Sequence, residues 1–273
     1  MPKVWLVTGA GSGLGRAVAE AARAQGDRVV ATARDTSVLA DFDDALTLDV
    51  HNPRSVDAAV AETIHRHERI DVLVNNAGHG LVGAVEELSD DDLRTVLETN
   101  VFGVLRTTRA VLPHLRAARS GHIVQMSSVG GVVANPGHAA YATSKFALEG
   151  MSEALAAEVA PWGIRVTLVE PGPFRTQFAG RSMRYSTPLD VYADTPAGQL
   201  RQRFAEQDGR QPNDPAQAAR HILSAVDDPA PPLRLPLGPE AADRIREKLL
   251  AQTAELDALN TRSPSIRDTR FSF

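Results

Sequence analysis

Cysteine is missing from all 273 residues, so disulfides, zinc–thiolate centres and thiol nucleophiles are excluded at once. That suits a reducing compartment. Long apolar runs are missing too: none approaches the ~20 residues that span a bilayer. The first strand-like run, residues 4–8, begins so close to Met1 that no signal peptide is expected. A soluble cytoplasmic protein without a membrane partner is the expectation. Excess basic charge is also absent, since 29 Lys and Arg face 34 Asp and Glu for a formal net charge of −5. Nucleic acid is therefore not an expected partner, because it would need a basic face. Repeats and low-complexity tracts do not occur, and no metal site is expected. What is present is an ordinary composition, 43% hydrophobic, with enough chain to bury a substantial core.

Short β-branched runs at residues 3–8, 28–32, 45–48, 71–75, 122–126 and 165–169 read as strands. They lack apolar–polar alternation, as strands covered on both faces do. Helical patterns lie between them at 14–25, 53–67, 90–118 and 141–160. Repeated strand–helix–strand order predicts an α/β fold: a doubly wound parallel sheet with helices on both faces. Ser89 before Asp90, Asp91 and Asp92, and Asn52 before Pro53, supply the chemistry of helix starts. Beyond residue 169 the rhythm changes. Residues 175–210 are read either as a lid of short helices over the active site or as a plain surface excursion. A helix at 214–226, a stiff proline-rich connector at 227–232, a last strand at 233–237 and a charged extra C-terminal helix at 240–260 follow, with a loose tail from Thr261. Residues 1–273 are expected to form a single dinucleotide-binding and catalytic domain.

The first strand runs into Gly9-Ala10-Gly11-Ser12-Gly13-Leu14-Gly15 and then a helix. Glycines there let the backbone turn tightly against a pyrophosphate, whose charge sits at the helix start. At the end of the second strand, where an NAD site usually carries an acid, stands Ala31-Thr32-Ala33-Arg34. Arg34 offers a planar fork for a 2′-phosphate, which favours NADP(H) over NAD(H). The alternative is a solvated Arg34 with Asp35 as the ribose acid.

Tyr141 and Lys145 stand one helical turn apart, with Ser128 thirteen positions before the tyrosine. A phenol with an ordinary pKa near ~10 handles protons poorly at neutral pH. An ammonium beside it is expected to lower that value. A serine hydroxyl nearby could hold a carbonyl or alcohol oxygen. The set suits moving a proton on oxygen while a hydride moves on the adjacent carbon.

These motifs, together with Asp49-Val50, Asn75-Asn76-Ala77-Gly78, Asn100 and Pro171-Gly172-Pro173-Phe174-Arg175-Thr176, resemble the short-chain dehydrogenases/reductases to about Leu237. The resemblance implies a Rossmann-type fold and an NADP-preferring carbonyl reductase, distantly similar to the 17β-hydroxysteroid dehydrogenases. It implies that Asp49 holds the adenine amino group with help from the Val50 backbone. Asn76, Ala77 and Gly78 would lie against the adenosine ribose. Asn100 would interrupt its helix and hold a water linked to Lys145. Ser128 would orient the substrate oxygen, Tyr141 would act as general acid or base, and Lys145 would also bond the nicotinamide ribose. Pro171 and Gly172 would present the nicotinamide face, with Phe174 and Thr176 on its carboxamide. Ser12 departs from relatives that carry a basic residue there, and Gln125 from those that carry asparagine.

The helix at 141–160 has a small-residue face of Ala142, Ala147, Gly150, Ala154 and Ala157. In the resembling family such a face forms a homodimer or homotetramer. His79 and His138 fall beside the site and read as loop histidines without a catalytic duty. Phe174, Phe178, Met183 and Tyr185 suggest an apolar or cyclic carbonyl or alcohol substrate, while Arg175 and Arg181 leave an anionic group open. Two other functions share the fold: a redox-sensing regulator that binds NADP without turnover, and a sugar-nucleotide epimerase or dehydratase.

Overall fold

A computed structural model describes residues 1–260, so the tail from Thr261 lies outside the described residues. Seven parallel strands form the central sheet in the order β3-β2-β1-β4-β6-β7-β9. They are β1 (Val4–Val7), β2 (Arg28–Ala33), β3 (Ala45–Thr47), β4 (Val72–Asn75), β6 (Gly121–Met126), β7 (Ile164–Pro171) and β9 (Arg234–Leu237). All seven expected strands are present. The helices α1 (Gly13–Ala24), α2 (Pro53–His67), α4 (Val104–Ala118), α5 (Ala139–Val159) and α7 (Pro215–Asp227) cover the two faces.

Alternation along the strands feeds two cores. Trp5 and Val7 of β1 join Val18, Ala22 and Ile222 under α1 and α7. Leu6, one residue between them, points the other way to Leu73, Ile123, Val111 and Leu155 under α4 and α5. Ile123 is wholly buried, and its truncation to alanine would cost about 2–5 kcal/mol. The expected caps form. Asn52 accepts from the Arg54 N–H at 3.0 Å, and Ser89 accepts from the Asp92 N–H at 3.1 Å while Asp92 bonds back.

The expected helix at 90–118 is not continuous. It is α3 (Asp90–Leu97), a wide π-type turn at Glu98–Gly103, and then α4. Each half keeps a regular apolar face, so periodicity could not show the break.

The segment at 175–210 holds a short strand β8 (Met183–Tyr185) and a helix α6 (Pro196–Gln207). β8 pairs in parallel with β5 (Gly80–Val82), a ladder too short to be read from the sequence. Val82, Met183 and Leu200 pack together beneath Phe178 and Phe204, which seats the segment across the strand ends. α8 (Pro239–Asn260) follows β9, and residues 246–259 stand exposed. Among the described residues no helix is long and apolar enough to cross a membrane.

Candidate active site

A cavity of about 950 Å³ opens at the carboxyl ends of the strands, where strand order reverses between β1 and β4. Every catalytic and cofactor residue nominated from the sequence lines it except Gly15 and Asn100; of the substrate-side residues Phe174, Phe178 and Arg181 line it, whereas Arg175, Met183 and Tyr185 do not. Gly15 and Asn100 stand behind the wall.

The turn after β1 is braced from β4. Gly9 and Gly13 adopt left-handed φ values of 65° and 58°, open to glycine at little cost. Thr8 Oγ1 accepts from the N–H groups of Asn76 (2.9 Å) and Ala77 (3.0 Å), and Asn76 Nδ2 donates to the carbonyls of Thr8 and Gly9 (both 3.0 Å). A Cβ on Gly15 would fall 2.2 Å from Asn76 Nδ2, so Gly15 is what lets Asn76 reach the loop. Ser12, at the N-cap of α1, makes no side-chain capping bond, which leaves first-turn N–H groups for an anion. A glycine cradle, an uncapped helix start and a long cleft fit a dinucleotide.

Arg34 is exposed at the end of β2 and has no side-chain partner among the described residues. Asp35 is engaged elsewhere. It accepts from the Ser37 N–H at 2.9 Å, capping the next turn, and this bonding holds its carboxyl below the usual range. Asp49 Oδ1 accepts from the His51 N–H at 3.0 Å, and the Val50 carbonyl accepts from Arg106 at 3.1 Å. Beyond β7, Gly172 donates to the Leu237 carbonyl at 2.9 Å, and Thr176 lies against Gly13, with its Cβ 3.5 Å from where a Cβ of that glycine would be. Phe174 is buried beside Asn213, which anchors the Pro173 carbonyl at 2.9 Å.

Ser128 follows β6 and Tyr141 lies in the first turn of α5, both buried. The neighbouring Ser127 spends its hydroxyl on Glu149, whereas Ser128 Oγ accepts from the Gly130 N–H at 3.0 Å and lines the cavity. Lys145 Nζ donates to the Met126 carbonyl at 2.7 Å and sits 5.7 Å from the centre of the Tyr141 ring. The expected lowering of the tyrosine by this ammonium is corrected here. Burial pushes Tyr141 up to about 12, with only the Ser128 hydroxyl pulling the other way. The ammonium lies over the ring and bonds main chain, and burial itself brings Lys145 down to about 8, against the pull of Glu149.

Asn100, in the π-type turn, clamps the main chain of His79. Its Oδ1 accepts from the His79 N–H at 3.1 Å, and its Nδ2 donates to the His79 carbonyl at 3.0 Å and to Ser144 at 2.9 Å. The Asn100 side chain thus holds the loop after β4 against α5.

Glu149, Glu170, Gln211, Arg203 and Arg244 were not found from the sequence, whereas His79 and His138, read as lying beside the site, do line the cavity. Below Lys145, Glu149 and wholly buried Glu170 share Arg234, at 3.1 Å and 3.8 Å. Burial, with Glu149 nearby, pushes Glu170 up to about 7. Glu149 was legible in principle, one turn after Lys145. At the substrate end His138 is stacked between Tyr141 (5.2 Å) and Phe204 (4.9 Å), and burial lowers it to about 4, so it is neutral. His79 is likewise lowered to about 4 by burial. Both line the cavity with a buried, unbonded Nε2, as does Gln211 with its Oε1. Arg203 and Arg244 also reach it, from α6 and α8.

A family profile described as short chain dehydrogenase matches residues 3–185. Over 240 residues the chain is 40% identical to a 3-ketodihydrosphingosine reductase of Bacteroides thetaiotaomicron, covering 87% of this chain and 88% of the relative. The crystal structure of a short-chain dehydrogenase from Streptomyces avermitilis matches with a TM-score of 0.89 at 46% identity, covering 96% of this chain and 97% of that one. A variant of actinorhodin polyketide ketoreductase solved with NADPH matches with a TM-score of 0.73 at 31% identity, covering 86% and 95%. Agreement of this breadth shows the family: the chain belongs to the short-chain dehydrogenases/reductases, oxidoreductases that work with a nicotinamide dinucleotide.

Proposed function

We propose that the protein is an NADP(H)-dependent carbonyl reductase or secondary-alcohol dehydrogenase in which Tyr141 is the general acid or base. One observation carries the reading: Ser128, Tyr141 and Lys145 line the same cleft as the braced glycine loop. The bound nicotinamide supplies or receives the hydride. In the reductive direction the Ser128 and Tyr141 hydroxyls hold the carbonyl oxygen and oppose the negative charge that grows on it. Tyr141, neutral with its value near about 12, passes its proton to that oxygen. Lys145 then faces the phenolate, and its charge stabilises it. Asn100 positions this centre through His79 and Ser144.

The cofactor would be held by the loop from Gly9 through Gly11, Ser12, Gly13 and Leu14 to Gly15, by Asp49 and Val50 at the adenine, and by Asn76, Ala77 and Gly78 beside the ribose. Pro171, Gly172, Phe174 and Thr176 would meet the nicotinamide, and Lys145 its ribose. Arg34 would take a 2′-phosphate: it has no side-chain partner, while Asp35 is committed to Ser37. Phe174, Phe178, Leu200 and Phe204 support an apolar substrate. The reductase and ketoreductase names of the relatives agree with a carbonyl compound.

The α5 face of Ala147, Gly150, Ala154 and Ala157 is exposed in the single chain, beside exposed Phe146. That supports a homodimer or homotetramer; a cytoplasmic setting rests instead on the cysteine-free composition, which suits a reducing compartment. The deciding experiment follows nicotinamide absorbance over a panel of ketones and alcohols with NADPH and NADH. Turnover must fall by about a thousandfold in Tyr141→Phe while cofactor still binds. Equal rates in parent and variant would refute the assignment.

A further inference from the structure

Several arginines outside the cavity lining are paired with carboxylates: Arg16 with Glu20 and Asp41, Arg66 with Glu62 and Asp44, Arg94 with Asp90 and Asp91, and Arg201 with Glu87. Others on the outer surface, Arg28, Arg54 and Arg220 among them, are exposed to solvent without such a pair among the described residues. The arginines that line the cavity are unpaired too, but inside a concave wall. Arg34, Arg181, Arg184, Arg203 and Arg244 form no ion pair among the described residues. The two carboxylates in the same lining, Asp35 and Asp49, both belong to the dinucleotide end. The lining of the substrate end thus holds arginines and no carboxylate.

Position separates these cations. Arg34 follows β2, and Arg181 is near enough to stabilise the Asp35 carboxylate, so both serve the adenosine end. Arg203 and Arg244 stand at the other end. Arg203 precedes Phe204, whose ring stacks on His138, which in turn stacks on Tyr141. Its guanidinium makes one long bond, Nε to the Gln199 carbonyl at 3.4 Å, leaving its other donors free. Arg244 is half-buried and reaches in from α8, held by Asn135 Oδ1 at 2.6 Å, and Asn135 also lines the cavity. The same lining holds apolar Phe178, Leu200, Phe204 and Pro196 together with polar His138 and Gln211. A concave site with cations of one sign concentrates anions, and a guanidinium fork matches a carboxylate in two parallel bonds.

We infer that the substrate is a carbonyl compound with an apolar body and a carboxylate end, the carboxylate pairing with Arg244 and Arg203 while the ketone reaches Ser128 and Tyr141. This rests on the oxidoreductase reading above and names its substrate class. It also gives α8 a duty at the active site, since Arg244 belongs to that helix.

The test uses oxo-acids of about six to twelve carbons with the ketone at the penultimate carbon, each paired with its methyl ester. Reduction by NADPH is followed at low ionic strength with the full chain. At the best length, kcat/KM for the acid should exceed that for the ester by about tenfold or more, the size of a charge-assisted bond. The ratio should shrink as salt is added. Arg244→Gln and Arg203→Gln should each pull the ratio toward one, whereas Arg220→Gln, on the exposed side of α7, should leave it in place. Because Arg244 also steadies Asn135, Arg203→Gln on exposed α6 keeps the test open if the first variant folds poorly. Decanoate, which cannot be reduced, should inhibit more strongly than methyl decanoate. A ratio of one or less at every length, with esters still reduced, overturns the inference and leaves the oxidoreductase standing. A ratio that survives both substitutions also overturns it. No turnover of any acid or ester, with NADPH demonstrably bound, brings down the reading and the inference together.

Discussion

The dinucleotide end and the substrate end of the cleft are built in opposite ways. The first is mainly backbone. Gly9 and Gly13 lie in the left-handed region, α1 starts without a side-chain cap, and the bonds that hold the loop come from Thr8 and Asn76. The second is mainly side chains, drawn from α5, the segment after β7, α6 and α8. A change at the first end shifts main chain that no neighbour can restore. A change at the second removes one contact and leaves the frame. Cofactor use is thereby tied to the fold, while substrate choice is free to vary on it.

Tyr141→Phe gives the sharpest contrast between the ends. It keeps a ring among His138 and Phe178 but removes the hydroxyl, so turnover should fall by about a thousandfold. NADPH affinity, read by fluorescence titration, should stay within about twofold. A matching loss of affinity would break the comparison. Gly15→Ala attacks the other end, where the new methyl would fall 2.2 Å from Asn76 Nδ2. Overpacking of this kind costs roughly 1–3 kcal/mol. Thermal unfolding should show it, and NADPH and NADH should weaken alike. Arg34→Gln is milder: NADPH should lose about tenfold against NADH, the size of one charge-assisted bond. An equal loss for both would remove the 2′-phosphate role.

The smallest effect lies under the site, at Glu170. Its folded value is raised to about 7 by burial, so the native state holds this proton more tightly than the unfolded chain does. Stability from this group is present below the ordinary carboxylate range and is lost as pH rises through about 7. Glu170→Gln should therefore melt above the parent at pH 8 and lose that advantage at pH 5. A constant gap between the two melting curves would show that Glu170 does not titrate in this window.

The same contrast explains what could be read from the sequence. Each sheet strand is an apolar run bounded by turn residues, and the loop after β1 is contiguous, so both were legible. The break at Glu98–Gly103 was implied at Asn100 by the family resemblance but not by periodicity, because Asn100 spends its side chain on His79, a partner set by tertiary structure. Lys145 one turn after Tyr141 suggested a lowered phenol, but adjacency says nothing of burial, which outweighs the ammonium here. His138 looked like an idle loop residue. Only the position of α6 shows it wedged between two rings. That Asp35 also caps the next turn through the Ser37 N–H could not be read from its place after Arg34.

The short ladder between β5 and β8 ties the segment after β7 to the loop after β4. Gly80 donates to the Ser182 carbonyl at 2.9 Å, Ser186 to the Val82 carbonyl at 3.0 Å, and Gly83 to the Gly137 carbonyl at 2.8 Å, just before α5. That flank is a stitched seam, and α6 is fastened onto it, Leu200 packing on Val82 and Met183 and Arg201 donating to the Ser186 carbonyl at 2.9 Å. The amides of Gly80 and Ser186 should exchange with solvent more slowly than those of α6, and the reverse order would mean that the seam opens before the helix it carries.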